Sequence, residues 1–124
     1  MRIAVSTNDA QGLDSTVCAH FGHSPYFVFV DLDENGAPSK IEATANPHVQ
    51  NHSCGAVVSF VSQHGANVML SGGMGAGALG HFRAVGIDVF TGARGTVREA
   101  LAAYQAQELP GNEANCHEHG GGCH

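Results

Sequence analysis

The C-terminal segment of this chain is dense in side chains that bind soft metal ions. Two cysteines and three histidines fall in its last nine residues, namely Cys116, His117, His119, Cys123 and His124. Thiolate with imidazole is a ligand set that suits Zn²⁺, Cu⁺ or Ni²⁺, and the glycines at 120–122 would let both ends turn back toward one ion. The segment therefore predicts metal affinity, either for physiological metal handling or as an opportunistic flexible chelator.

A second group of cysteines and histidines lies in two predicted loops. Cys18, His20 and His23 fall in the first loop, and His48, His52 and Cys54 fall in the segment that enters the first predicted helix. In a mixed sheet of this element order, these two segments can meet at one end of the sheet. Ligand-binding residues concentrate in such loops, so we expect the two sets to converge. The alternative is six separate side chains, each solvated or packed on its own.

A glycine-rich segment over residues 71–80 runs from a predicted strand into a predicted helix. Small residues expose backbone N–H groups at a helix N-terminus, which favours an anion there, and Met74 adds a soft thioether. Residues 75–80 also match the dinucleotide fingerprint G-x-G-x-x-G, but its candidate acidic partner, Asp88, lies near the start of the next strand. We expect an anion site, with close helix–sheet packing as the alternative role of the glycines.

The sequence gives little support for a set of catalytic residues. Asp31 and Asp33 share a strand end, but no third carboxylate is placed to complete a two-metal site. Cys18 and His20 could pair as nucleophile and base, yet residues two apart have no assured contact and no third group orients them. We therefore expect a protein that is not an enzyme.

Composition narrows the class of partner. The chain has 124 residues, which suits one domain, and 5 basic against 11 acidic residues give a formal net charge of −6. Such a chain lacks the electrostatic attraction that nucleic acids and anionic membranes require. The start reaches Asp9 before the apolar region of a signal peptide could form, and no apolar run approaches the ~18 residues of a membrane span. We expect a cytoplasmic monomer whose cysteines are thiols or ligands, because the cytoplasm is reducing.

Short apolar elements must position the segments described above. Strands are predicted over residues 2–7, 26–31, 40–45, 67–70 and 87–90, and helices over 55–64, 78–85 and 97–104. His64 and His81 fall on helices and are expected to be structural. The order β, ββ, α, β, α, β, α implies an α/β domain over residues 1–109, with a mixed, mostly parallel five-stranded sheet flanked by helices. Residues 110–124 have too few apolar side chains to fold alone and are predicted to be a flexible tail.

Several segments of the chain carry a family resemblance. They are His20-Phe21-Gly22-His23-Ser24-Pro25-Tyr26-Phe27, the opening strand at 2–6, and residues 73–79, 86–90 and 92–101. Together they resemble the dinitrogenase iron–molybdenum cofactor biosynthesis family, which includes NifX, NafY and the C-terminal domain of NifB. The resemblance covers residues 1–109 and implies a ribonuclease H-like fold that binds or carries a metal–sulfur cluster without catalysing a reaction. In size and layout the chain is most similar to small single-domain members from anaerobes, such as the orange protein, which holds a molybdenum–copper sulfide cluster.

The resemblance assigns a role to one histidine. The family's His-Phe-Gly histidine corresponds to His20, which is the leading candidate for contact with a cluster. Cys18, His23, His52 and Cys54 are not general features of the nitrogenase members, and the tail lies outside the shared domain, although similar tails occur among the small members.

The sequence therefore predicts a non-catalytic carrier for a molybdenum- or iron-containing sulfide cluster, of Mo–Cu–S or Fe–Mo–S type. We expect the anionic cluster to lie against the glycine-rich helix N-terminus. The predicted contacts are Cys18, His20, Phe21, Gly22, His23, His52, Cys54, Gly73, Met74 and Gly75. Two alternatives are a metal-ion chaperone that acts through the tail, and a regulatory partner of a MinD-like P-loop ATPase, which the small family members often accompany.

Overall fold

Strands and helices alternate along the computed structural model, which describes residues 1–47 and 54–109, without the side chain of Cys54. The strands are β1 (Arg2–Thr7), β2 (Tyr26–Leu32), β3 (Pro38–Ala45), β4 (Val68–Leu70) and β5 (Asp88–Phe90), and the helices are α1 (Cys54–Gln63), α2 (Ala76–Ala84) and α3 (Val97–Gln105). Two short 3-10 helices, Gly12–Asp14 and Phe21–His23, lie between β1 and β2. All the predicted strands and helices are present, with ends shifted by at most two residues.

The strands form one sheet in the order β3-β2-β1-β4-β5. β2 pairs antiparallel with both β1 and β3, whereas the β1–β4 and β4–β5 pairs are parallel. Four of the five strands therefore point the same way, but half of the pairings are antiparallel, so the sheet is mixed and only loosely fits the predicted mostly parallel one. This order and orientation are those of the ribonuclease H-like motif. β2 lies next to the central strand, as its apolar composition predicts.

Each face of the sheet carries its own apolar layer, because successive side chains of a strand point to opposite faces. Beneath α1 and α2 the layer includes Phe27, Phe29, Met69, Val57, Val61, Leu79 and Phe82. Beneath α3 it includes Ile3, Val5, Val28, Leu70, Val97 and Leu101. Thr96 and Glu99, three residues apart, predict a capping box at the start of α3. The structure confirms it, since Glu99 N donates to Thr96 Oγ1 at 3.2 Å and Thr96 N donates to Glu99 Oε1 at 2.9 Å. In the described residues, no helix has the length and apolar character needed to cross a bilayer.

The exposure of one residue, Val85, and of one strand, β3, differs from what the sequence suggests. The repeat of Ala78, Leu79, Phe82 and Val85 predicts one apolar stripe on α2. Val85 is nevertheless 48% exposed, because α2 ends at Ala84 and the chain turns at Gly86, whose φ is 77°. Residues 40–45 alternate between polar and apolar types, as the sequence prediction of a strand requires, but nearly all side chains of β3 are exposed. β3 is an outer strand, and of the described helices the short 3-10 helix Gly12–Asp14 lies against it.

His64 is structural, as predicted. Its ring stacks on Phe29 with centroids 4.7 Å apart, and its Nδ1 lies 2.9 Å from the carbonyl oxygen of Phe60. His81 lies beside the start of α1, since its Cε1 is 3.6 Å from the point that a Cβ on Gly55 would occupy.

An ion pair joins β1 to β2 at the end of the sheet where β1 begins. Arg2 Nε lies 2.8 Å from Asp31 Oδ1, and Arg2 Nη1 donates to the carbonyl oxygen of His64 at 2.8 Å. The hydrogen bonds from the Arg2 guanidinium hold the pKa of the Asp31 carboxyl below its ordinary value. Stability linked to a lowered carboxyl pKa is present above the unfolded-state value and is lost as the pH falls through the folded-state value.

We expect Asp31→Asn to lower Tm slightly at neutral pH, because a partly exposed ion pair contributes little. The Tm difference from wild type should be constant above about pH 5 and shrink below about pH 4, where Asp31 takes up a proton. Thermal melts across this range measure it. A difference that persists in strong acid would mean that the contribution of Asp31 is not ionic.

Candidate functional site

Three loops leave the same edge of the sheet. β1 ends at Thr7, β4 at Leu70 and β5 at Phe90, and parallel strands have their carboxyl ends at one edge, where ligand sites of α/β sheets concentrate. The loops are residues 8–25 (first loop), 71–75 (glycine-rich loop) and 91–96 (third loop). β3 runs in the same direction as β1, so the segment that leads into α1 also starts at this edge.

The first loop is hydrogen-bonded directly to the glycine-rich loop. Phe21 N donates to the Gly73 oxygen at 3.0 Å, and Gly72 N donates to the Cys18 oxygen at 3.2 Å. Below them, Ser6 Oγ of β1 donates to Ser71 Oγ at 3.0 Å, and both serines are buried. The first loop and the glycine-rich loop, which are far apart in the sequence, therefore form one surface.

Glycine is required where these two loops meet. A Cβ on Gly72 would lie 2.8 Å from Ala19 Cα and 2.9 Å from the Cys18 oxygen, and a Cβ on Gly73 would lie 3.0 Å from the Ala19 oxygen. These contacts are with backbone, which cannot turn aside as a flexible side chain can. The glycines thus serve loop–loop contact, a role that neither the anion-site nor the helix-packing hypothesis included.

The glycine-rich loop ends at the start of α2. Gly75 is the N-cap, no side chain caps the helix, and its first turn has no acidic residue. The first N–H groups of a helix lack partners within it, and the helix dipole favours negative charge there. The geometry is therefore that of the predicted anion-favouring helix N-terminus.

The histidines of the first loop lie at its surface. His20 is the N-cap residue of the 3-10 helix Phe21–His23. The imidazoles of His20 and His23 are both exposed, and their ring centroids are 6.4 Å apart in an edge-to-face arrangement. Cys18 is only 7% exposed, and its Sγ donates to the His20 oxygen at 3.3 Å. His20 and His23 therefore lie at the protein surface, whereas Cys18 helps to shape the loop that presents them.

Two of the predicted contact residues lie in the core. Phe21 is fully buried, with its ring centroid 5.2 Å from that of Phe82 and 5.8 Å from that of Phe27, and Met74 is buried in the same apolar layer. Gly22, between the histidines, is half-buried. The side chains of Phe21 and Met74 hold the first loop and the glycine-rich loop against the sheet.

The second histidine- and cysteine-containing segment begins against the first loop. Asn46 N donates to the Pro25 oxygen at 2.9 Å, and Asn46 Nδ2 donates to the Ser24 oxygen at 2.8 Å, directly after His23. The rest of the predicted set lies outside the described residues: His48, His52, the side chain of Cys54, and Cys116, His117, His119, Cys123 and His124. Among residues 1–47 and 54–109, no three His, Cys, Asp or Glu side chains are placed to hold a metal ion.

The acidic residue that a dinucleotide-binding site requires is not at the expected position. Asp88 is the first residue of β5, at the opposite end of that strand from the glycine-rich loop. A carboxylate that binds a ribose follows the carboxyl end of its strand, where this chain has Thr91.

Arg94 also lies at this edge, although it is not among the contacts predicted from the sequence. The third loop is tied to both other loops, since Gly92 N donates to the Gly72 oxygen at 3.1 Å and Val17 N donates to the Gly95 oxygen at 2.8 Å. Arg94 lies between these two attachments and is exposed, and its side chain forms no ion pair within the described residues. The position of Arg94 could have been predicted from the sequence. The loop that contains it directly follows the last predicted strand, so it starts at the carboxyl edge of the sheet.

Comparisons with known proteins agree with this architecture. Residues 1–107 match the family described as "Dinitrogenase iron-molybdenum cofactor". The crystal structure of protein PH0822 is similar, with a TM-score of 0.77 and 34% identity over 89% of this chain and 95% of that one. The apo form of the orange protein from Desulfovibrio gigas has a TM-score of 0.76 and 28% identity over 99% of this chain and 95% of that one.

A third similar structure is a Thermotoga protein, TM1290, described as a NifB protein. It has a TM-score of 0.71 and 27% identity, over 87% of this chain and 90% of that one. No curated protein matches the chain significantly.

Proposed function

The chain belongs to the dinitrogenase iron–molybdenum cofactor family, and we propose that it is a non-catalytic carrier for a molybdenum- or iron-containing metal–sulfide cluster. The observation that supports this proposal most is the direct hydrogen bonding of the histidine-bearing first loop to the glycine-rich loop at the start of α2. The cluster is cargo and not a resident cofactor. The carrier acts in the cytoplasm through a cluster-binding domain, residues 1–109, followed by the tail, residues 110–124.

Charge explains how an acidic protein would hold an anion. The whole chain carries a formal charge of −6, so attraction has to come from local groups. Three kinds of hydrogen-bond donor lie at this edge: the backbone N–H groups of the α2 N-terminus, the imidazoles of His20 and His23, and the positively charged guanidinium of Arg94. N–H groups donate hydrogen bonds to anions, and dipoles at a helix start favour them.

The chemistry of the described side chains favours a cluster that carries its own sulfide ligands. Cys18 is buried and its thiol donates to a carbonyl oxygen, so it is not presented as a metal-binding thiolate. His20 and His23 alone do not complete a metal ion's ligand set. A preformed sulfide cluster needs only donors and charge around it, and this surface offers both.

Anaerobic reconstitution with tetrathiomolybdate and a copper or iron salt tests the proposal. We expect wild type to form a coloured complex with a fixed stoichiometry, and His20→Ala to bind it at least several-fold more weakly. His64→Gln is the matched control, because His64 packs on Phe29 away from this edge. No coloured complex in wild type would refute the carrier, whereas an unchanged complex in His20→Ala would refute the assignment of His20.

Arg94→Gln should weaken binding of the same anion by about two- to fivefold, as expected for one exposed charge near a ligand. The loss should shrink as salt is added, because salt screens exposed charges. Arg98→Gln changes the net charge equally, but Arg98 pairs with Asp14 at 3.4 Å and should have less effect. Titrations of tetrathiomolybdate at low and high salt measure this. Equal effects of the two variants would mean that only net charge matters.

A second candidate function is supported by the composition of the tail, with five Cys and His in nine residues. In this alternative the protein is a metal-ion chaperone and the domain binds no cluster. Replacing the five residues by Ser or Asn in the full chain separates the two functions. The carrier retains cluster binding, whereas the chaperone loses all metal.

Resemblance to the small family members, which often accompany MinD-like P-loop ATPases, implies such an ATPase as a partner. A regulatory role with that ATPase is therefore a further proposal. Anaerobic pull-downs with cluster-loaded protein should recover the ATPase, and recovery of none would rule this partner out.

A further inference from the structure

The outer edge of β3 has no partner strand within the described residues. β3 ends the sheet order and pairs only with β2. It is eight residues long, Pro38–Ala45, and its side chains are exposed on both faces of the sheet except that of Thr44, which is half-buried. The pairing with β2 is irregular between Pro38 and Lys40 and regular from Lys40 to Ala45. A regular edge of this kind can pair with another strand unless its sequence prevents it.

Two hydrogen bonds at the ends of β2 establish which backbone groups of β3 face outward. Leu32 N donates to the Met1 oxygen, and Asn46 N donates to the Pro25 oxygen. Backbone N–H and C=O groups alternate in direction along a strand, so every second residue of β2 faces β3. These residues of β2 are opposite Lys40, Glu42 and Thr44, whose backbone groups therefore bond to β2. Ile41 and Ala43 therefore direct their N–H and C=O groups away from the sheet.

We infer that β3 pairs antiparallel with β3 of a second copy of this chain, about a two-fold axis at Ile41. This register places Lys40 opposite the partner's Glu42, and Glu42 opposite the partner's Lys40. Opposite charges directly across an antiparallel pair stabilise it, and like charges destabilise it. The two five-stranded sheets then become one continuous sheet.

The neighbouring registers are less favourable, because they either bring like charges together or lack the attractive pairs. An axis at Lys40 or at Glu42 places like charges directly opposite each other. An axis at Ala43 places Lys40 opposite the partner's Asn46 and leaves no charge pair. The edge is therefore complementary to itself in one register, and the lysine that would otherwise protect an edge strand meets a carboxylate.

Ile41 gives the contact an apolar centre. It is 42% exposed, one of the few large apolar side chains exposed in the described residues. Its Cγ2 lies 3.4 Å from the point that a Cβ on Gly12 would occupy, so one side of Ile41 already packs on the first 3-10 helix. In the dimer its remaining surface meets the partner's Ile41. The sequence alone predicts a monomer, and it does not show that β3 lies at the sheet edge.

Charge reversal tests the pairing. Sedimentation velocity over a concentration series should show wild type in a monomer–dimer equilibrium. Lys40→Glu and Glu42→Lys should each raise the dimer dissociation constant by about tenfold or more, because two attractive contacts become repulsive. The double variant with both reversals should restore dimerisation, and a mixture of the two single variants should form a heterodimer. Glu34→Lys, in the exposed β2–β3 turn, changes the net charge equally and should have no effect.

A wild type that stays monomeric throughout the series would overturn the inference. So would a dimer that survives both single reversals. Circular dichroism of each variant shows whether it folds, and the recovery in the double variant and the mixture excludes misfolding as the cause of a loss. The test needs no metal cluster, so its outcome is independent of the proposed carrier function.

Discussion

Phe21→Ala should destabilise the fold by about 3–5 kcal/mol, the range for removing a fully buried aromatic ring. Phe21 is inaccessible to solvent and packs against Phe82 at 5.2 Å and Phe27 at 5.8 Å. Removing the ring leaves a cavity beneath the first loop. The hydrogen bond from Phe21 N to Gly73 would then lose its support, so His20 and His23 should become mobile as well.

Denaturant titration measures the free energy of unfolding, and tetrathiomolybdate titration of the folded protein measures the effect on the site. Phe21→Leu is the control, because it keeps most of the volume and should cost less than about 1.5 kcal/mol. An alanine variant that loses less than about 1 kcal/mol would show that the ring does not anchor the loop.

Gly72→Ala should destabilise the fold by about 1–3 kcal/mol, the usual cost of forcing a methyl group into a packed site. The added Cβ would lie 2.8 Å from Ala19 Cα and 2.9 Å from the Cys18 oxygen. These are backbone atoms of the first loop, so the two loops have to move apart. We expect weaker binding of tetrathiomolybdate by the folded variant, since the histidines move away from the start of α2.

Gly80→Ala is the matched control, and it should change the stability of the fold in the opposite direction. Gly80 lies in α2 and is exposed, and no atom lies within 4 Å of its added Cβ. Alanine in a helix is favoured over glycine by about 0.5–1 kcal/mol, so this variant should be more stable than wild type. If Gly72→Ala were as stable as Gly80→Ala, the close approach of the two loops would not be required.

Periodicity in the sequence was sufficient to predict the strands and helices. The unbroken apolar run of β2 predicted a place near the centre of the sheet, and Thr96 with Glu99 predicted the start of α3. These signals are local, because each depends on residues within a few positions of one another. The exposure of Val85 and of β3 was not predicted, since it depends on where α2 ends and on which strands lie at the sheet edge.

The candidate site was predicted in part. Loops at the carboxyl edge were expected to meet, and the bonds from Phe21 to Gly73 and from Asn46 to Pro25 join their described parts. Spacing could not distinguish Phe21, which packs in the core, from His20, which is exposed, although the two residues are adjacent. Nor could it show that Gly72 touches Ala19, because that contact joins residues far apart in the sequence. The assignment of His20, His23 and the other contacts to a cluster stays a prediction.

The central claim is that the folded domain carries a metal–sulfide cluster, and elemental analysis of anaerobically purified full-length protein tests it most directly. The account predicts molybdenum or iron together with acid-labile sulfide, in a fixed ratio to protein. That content should persist when the five Cys and His of the tail are replaced by Ser or Asn. Metal without sulfide, lost completely from the tail variant, would contradict the account and leave a protein that binds metal through its tail alone.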